Sequence, residues 1–257
     1  MGQLHVLANK VCTVTVSGAA FLTMACFTPA SACPVAGITN ATLTPVLQAA
    51  VAAGNGGLGF PMWATVVDRD GVVCVVAKSA GPGLQWPGSR VISAQKANTA
   101  NAFSLPSFAL STANLFSATQ PGGSLFGLQE SNPVDADVAY VGSSLTWGTS
   151  GDDLVTKKIG GINVFGGGLA LYDSAHTLLG GLGVSGDTSC ADHNIAWRVR
   201  KALGLDHVPA GVAPGGNDGI IYDVTGSHGN FASKSGFGHP TCGGTEQSVA
   251  KSIGAGG

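Results

Sequence analysis

The sequence predicts an α+β layer sandwich, an antiparallel sheet of about five strands with helices packed on it. Three observations predict it. Residues 62–68 (MWATVVD) and 72–79 (VVCVVAKS) are β-branched runs joined by the tight turn Arg69-Asp70-Gly71, a hairpin signal. Residues 160–186 break into three short apolar runs separated by glycines. Apolar residues at helical spacing recur before, between and after these strands.

The elements follow in order. Lys10 precedes a run of apolar and small residues, 11–28, which ends near Ala30-Ser31-Ala32. That pattern predicts a signal peptide over 1–32, cleaved before Cys33. A membrane anchor is the competing reading, and the run is marginally short for one. Lipid attachment through Cys33 is a weaker alternative, because Ala30 stands where a lipoprotein signal carries Leu. Residues 42–53 predict a helix capped by Thr42 or Thr44 and stopped by Gly54. Residues 89–103 predict a second helix, with Ser89 as cap and Val91, Ile92, Ala94, Ala97, Ala100 and Phe103 at helical spacing. Residues 107–118 suggest another. The stretch 119–160 is irregular and reads as an insertion. Residues 189–205 predict the last helix, with Asp192 in its first turn, where a carboxylate suits the helix dipole. Residues 207–257 read as a Gly-rich extension.

Composition bounds the function. Charged residues are 10% of the chain, the net charge is −2, and 40 of 257 residues are glycine. Nothing here calls for nucleic acid or an anionic membrane as partner. After removal of 1–32, four cysteines remain. Cys190 and Cys242 lie in polar, Gly-rich surroundings and are the expected disulfide of an exported chain. Cys74 is expected as a free, buried thiol within a strand.

Candidate chemistry concentrates in residues 182–201. Ser185 follows Gly183-Val184, but Asp187 stands where a nucleophile elbow requires its last glycine, so a hydrolase reading fails. Cys190-x-x-His193 and His239-x-x-Cys242 together have zinc-ligand spacing, which competes with the disulfide. Lys96 is by itself an ordinary helix lysine with a long apolar stem. Gly183, Gly186 and the amides opening the last helix form a possible anion site.

Two halves of the chain resemble the GlcG/HbpS-like haem-binding domain family. The run 66–103 is similar to the family's strand, turn, strand and helix, with Ser89, Lys96, Ala97, Thr99, Ala100 and Phe103 matching. GGINVF, GGLGVSG and the Asp-containing last helix match the second half, with Asn163 replacing the usual Pro. The resemblance covers about 42–205. It implies a profilin-like or PAS-like fold, assembly into homo-oligomers and haem as ligand, and the family's exported members agree with the signal peptide and a periplasmic or extracellular location. It also implies a pocket near Lys96, Thr99, Asp192, His193 and Gly186. Lys96 would pair there with Asp192 or meet an anionic ligand such as a haem propionate, and His193 would be the candidate iron ligand. His176, His207, His228 and His239 are weaker candidates. Two other classes compete: an enzyme on a small oxygenated metabolite, with Lys96 and Asp192 as acid and base, and a non-catalytic sensory or structural module.

Overall fold

The computed structural model describes residues 11–15, 23–27, 35, 37–81, 83–226 and 231–257. The chain forms two compact units, Met1–Pro34 and Val35–Gly257. The first contains an antiparallel pair, β1 (Val11–Thr15) and β2 (Thr23–Phe27), with Val11 opposite Phe27. The remainder of the expected signal peptide, including the cleavage site, lies outside the described residues, as does His228. No helix among the described residues is long and apolar enough to cross a membrane.

The second unit begins with α1 (Asn40–Ala52). Thr39 caps it, through a capping box shared with Thr42. The cap thus falls three residues before the expected Thr42, because the Thr39 and Thr42 hydroxyls accept from each other's backbone amides. Leu43, Leu47 and Ala50 form its buried stripe. The hairpin follows as β3 (Trp63–Asp68) and β4 (Val73–Lys78), in antiparallel register from Trp63 opposite Lys78. Next is α2 (Pro87–Ala102), which starts two residues before the expected Ser89 because Pro87 suits the first helical position.

The long region after α2 holds a 3₁₀ turn at Thr112–Leu115 and three one-turn helices, α3 (Phe116–Thr119), α4 (Leu128–Ser131) and α5 (Ala136–Ala139). Two strands then return, β5 (Gly168–Tyr172) and β6 (Leu178–Ser185), followed by α6 (Ser189–Ala202), capped by Thr188. The main sheet therefore has four strands in the order β4-β3-β6-β5, all antiparallel. The third run expected within 160–186, Ile162-Asn163-Val164, is buried but joins no strand pair. The extension is more structured than its composition suggests. It contains a short pair, β7 (Val224–Thr225) and β8 (Ala232–Ser233), and a helix α7 (Glu246–Ile253).

Glycine sets the spacing between layers. Helix α2 lies on β6 so closely that a Cβ at Gly183 would collide with the carbonyl oxygen of Ser93, and one at Gly181 with that of Ala97. Only glycine lets a helix backbone rest on a strand backbone in this way. One core forms on this side from Trp63, Val67, Val76, Val91, Ala94 and Ala97. Residues 119–160 close over it with Trp147, Leu154 and Ile159.

Among the described residues, three buried ion pairs join the segments that the sheet does not. Arg90 on α2 holds Asp152 of the insertion, Nη2 to Oδ1 at 2.5 Å and Nε to Oδ2 at 3.0 Å, and stacks on Trp147. Arg200 on α6 grips Asp218 of the extension through both terminal nitrogens, at 2.6 and 2.7 Å. Lys96 on α2 meets Asp192 on α6 at 2.6 Å. A disulfide between Cys190 and Cys242 also fastens the extension to α6. Cys74 does not keep a free thiol: it is half-buried and disulfide-bonded.

The layer spacing is testable. Gly183→Ala forces backbone against backbone, and overpacking of this kind costs about 3 kcal/mol. Gly81→Ala, in open space, should shift stability by less than about 0.5 kcal/mol. Urea unfolding of both variants checks the contrast, and equal midpoints would refute it.

Candidate functional site

The end of β6 and the start of α6 form one wall of a cleft of about 280 Å³. Ser185, Gly186, Asp187, Ser189 and Asp192 supply this polar wall, and Trp86, Ser89, Ile92 and Phe165 face it. Trp86 is 66% exposed and Phe165 51%, so the apolar side extends beyond the cleft as an open rim. The backbone amides of Leu58 and Phe60 both donate to the Asp187 carboxylate, which brings two more exposed apolar residues beside it. An exposed apolar cluster rimmed by polar groups marks a binding surface.

Two of the residues expected at the site, Asp192 and Gly186, line the cleft. Lys96 lies behind Asp192, wholly buried. Its ammonium donates to Asp192 Oδ2 at 2.6 Å and to the carbonyl of Val184 at 3.1 Å. Asp192 Oδ1 accepts from the amide of Asp187. Thr99 is farther back. Its hydroxyl donates to Gln95 and accepts from the amide of Asn163, so it shapes the turn where Asn replaces the family's Pro. His193 does not line the cleft. Its ring is buried, Nε2–H donates to the carbonyl of Ala255 at 3.1 Å, and Nδ1 finds no partner among the described residues. His176 and His207 are exposed.

Several cleft residues carried no signal in the sequence reading. Trp86 and Phe165 lie in short loops with no periodicity, and only the exposure of two large aromatics identifies them. Ser189 and His239 meet because the disulfide folds the extension back on α6. Ser189 Oγ lies 2.7 Å from His239 Nε2, although fifty residues separate them in sequence.

A larger cavity, about 530 Å³, lies between α1 and α6. Its bed is Pro45, Val46 and alanines, flanked by Arg198 and Lys201. It contains none of the expected site residues and no converging polar atoms beyond those two cations, so the smaller cleft is the better candidate.

Burial sets the protonation of the site. Loss of solvent pushes the Asp192 carboxyl up to about 6, with Lys96 opposing the shift, and pushes the Lys96 ammonium down, with Asp192 opposing. Burial also lowers His193 and His239 to about 4. Between pH 6.5 and 4 the unfolded chain protonates both histidines before the folded chain does. Their contribution is therefore complete above 6.5 and lost as pH falls. Asp192 acts oppositely, since its folded form takes the proton first between 6 and 3.8. Two groups outweigh one, so stability should fall from pH 6.5 to 4. Asp192→Asn should steepen that fall. Urea titrations at stepped pH test this, and a flat or inverted profile contradicts it.

Comparison with known proteins identifies the fold family. The haem-degrading HbpS-like family matches residues 38–200. No curated protein matches the chain. Among solved structures, a PduOC:heme complex is 25% identical, covering 63% of this chain and 89% of its own, with a TM-score of 0.43. Klebsiella pneumoniae protein ORFY is also 25% identical, covering 65% and 90%, with a TM-score of 0.41. HbpS is 19% identical, covering 65% and 90%, with a TM-score of 0.39. With the match running from α1 to the end of α6, the chain belongs to the HbpS-like family.

Proposed function

We propose that this chain is an exported haem-binding protein that takes haem against the rim of Trp86 and Phe165, with Ile92 behind them and Asp192 and Gly186 on the polar wall. Membership of the HbpS-like family carries the reading and ties the chain to haem. The cleft supports it for the porphyrin body. A macrocycle needs flat apolar walls, and two exposed aromatic rings supply them. The volume, about 280 Å³, is at the lower limit of the roughly 300–1,000 Å³ common for small ligands. The cleft would hold an edge of haem, and Trp86 and Phe165 would carry the rest.

Both acidic residues of the cleft already have partners. Asp187 is occupied by three backbone amides and Asp192 by Lys96. Lys96 acts through Asp192 as a positioning residue, which disfavours the alternative in which it performs acid–base chemistry on a small metabolite. Bound haem would supply redox-active iron. The cleft walls contain no imidazole, thiolate or thioether, so the walls fit the macrocycle and not the metal. His193 would meet iron only if the segment at Ala255 lifted from it.

The same proposal includes export through a signal peptide at 1–32, a binding domain at 33–206 with the insertion at 119–160, and an extension at 207–257. A disulfide supports an oxidising compartment, periplasmic or extracellular. Self-association is also part of the proposal, with Leu58 and Phe60 as exposed apolar contacts.

Haemin titration followed at the Soret band tests the reading. A saturating shift is expected, with affinity about tenfold lower in Trp86→Ala and in Phe165→Ala, corresponding to roughly 1.4 kcal/mol. Arg198→Ala, in the other cavity, should leave the titration unchanged. His193→Ala should leave the spectrum unchanged while Ala255 covers the ring. Absence of any shift at saturating haemin would remove the haem assignment and leave the module reading.

A further inference from the structure

The disulfide and a buried histidine form a second cluster outside the haem reading. Cys190 Sγ, Cys242 Sγ and a His239 nitrogen all lie within 4.8 Å of one another. His239 Nδ1 is 3.9 Å from Cys190 Sγ. With metal–sulfur bonds of about 2.3 Å and metal–nitrogen bonds of about 2.0 Å, a tetrahedral cation holds thiolate and imidazole roughly 3.5 Å apart and two thiolates roughly 3.8 Å apart, so Cys190 and His239 already stand near that spacing and the bonded sulfurs must separate on reduction. Cys190 is the second residue of α6, where the helix dipole favours a thiolate. The surroundings are apolar: Ala113, Ile220, Ala250 and Ala255. A divalent cation with two thiolates and a neutral imidazole has no net charge, so burial there is tolerable.

We propose that Cys190, Cys242 and His239 form a redox-gated site for a zinc-type divalent cation, closed by the disulfide and opened by reduction. A dithiol reductant delivers two electrons and two protons to the sulfur–sulfur bond and leaves as its own disulfide. The cation then displaces the two thiol protons, and His239 contributes a lone pair. The fourth position is left to water. His193, which the Cys-x-x-His spacing suggested as a ligand, is not in this cluster because its ring turns to Ala255.

Reduction would be felt in the cleft. In the disulfide form His239 Nδ1–H donates to the carbonyl of Pro240 at 2.7 Å, so Nε2 accepts from the Ser189 hydroxyl. Ser189 Oγ also accepts from the amide of Gly166. A cation on Nδ1 moves the ring proton to Nε2, which then donates to Ser189 Oγ. The Ser189 hydroxyl hydrogen is thereby released toward the cleft that this residue lines. The metal form thus presents a donor where the disulfide form occupies it, as ligand-orienting partners of metal sites do.

Cobalt titration of the full chain tests the site without haem. With a phosphine reductant and no air, Co²⁺ should produce thiolate charge-transfer and tetrahedral ligand-field bands that saturate at about one equivalent. Oxidised protein should give none. Cys242→Ser should abolish the bands, Cys74→Ser should keep them, and His239→Ala should weaken cobalt at least about tenfold. His239→Ala retains the disulfide, so its circular dichroism when oxidised reports folding independently. Bands that survive Cys242→Ser would overturn the proposal. So would a reduced chain that remains folded without them, or one that unfolds and is not restored by the metal.

Discussion

The ion pair between Lys96 and Asp192 fixes the architecture around the cleft. It joins α2 to α6 at 2.6 Å, and Lys96 also holds the carbonyl of Val184 near the end of β6. One ammonium thereby ties two helices and a strand. Removing either partner would leave a buried charge uncompensated, at a cost of about 3–5 kcal/mol. Asp192 passes the constraint outward through the amide of Asp187, and Asp187 arranges the loop of Leu58 and Phe60. The polar wall of the cleft is therefore a consequence of a pair that ligand need not touch.

The same logic recurs at the other two pairs. Arg90 with Asp152 places the insertion over the α2 core, and Arg200 with Asp218 places the extension against α6. Each arginine also lies over a tryptophan, Trp147 or Trp197. Segments with little regular structure are held by a few buried charges and by the Cys190–Cys242 disulfide. The glycines of β6 make this possible, since α2 must sit on the sheet backbone for Lys96 to reach α6. The sheet with α2 and α6 supplies the frame, and residues 119–160 and 207–257 are fastened to it.

The framework was legible where local physics decides. The hairpin at β3 and β4 and the helices α1, α2 and α6 follow from periodicity and turn chemistry, whereas the glycines of β6, read as turns, lie inside a strand that α2 covers. Legibility ended where contacts join distant residues. Arg90 carries no local signal, and only Asp152, sixty-two residues later, makes it a buried anchor. Cys74 reads as a strand hydrophobe, because nothing in its neighbours reveals its bond. For the site, the resemblance pointed to Lys96, Thr99, Asp192, His193 and Gly186, and the structure brings only Asp192 and Gly186 to the cleft surface. Trp86 and Phe165 were invisible, since exposure is a property of the folded surface and not of a motif.

The central claim is that haem rests on the aromatic rim beside Asp192 and leaves the buried pair intact. A crystal structure of the chain grown with haemin tests it most directly. Porphyrin density is expected stacked on Trp86 and Phe165, with Lys96 and Asp192 still in contact. Porphyrin lodged between α1 and α6, or held with the Lys96–Asp192 pair broken, would contradict it.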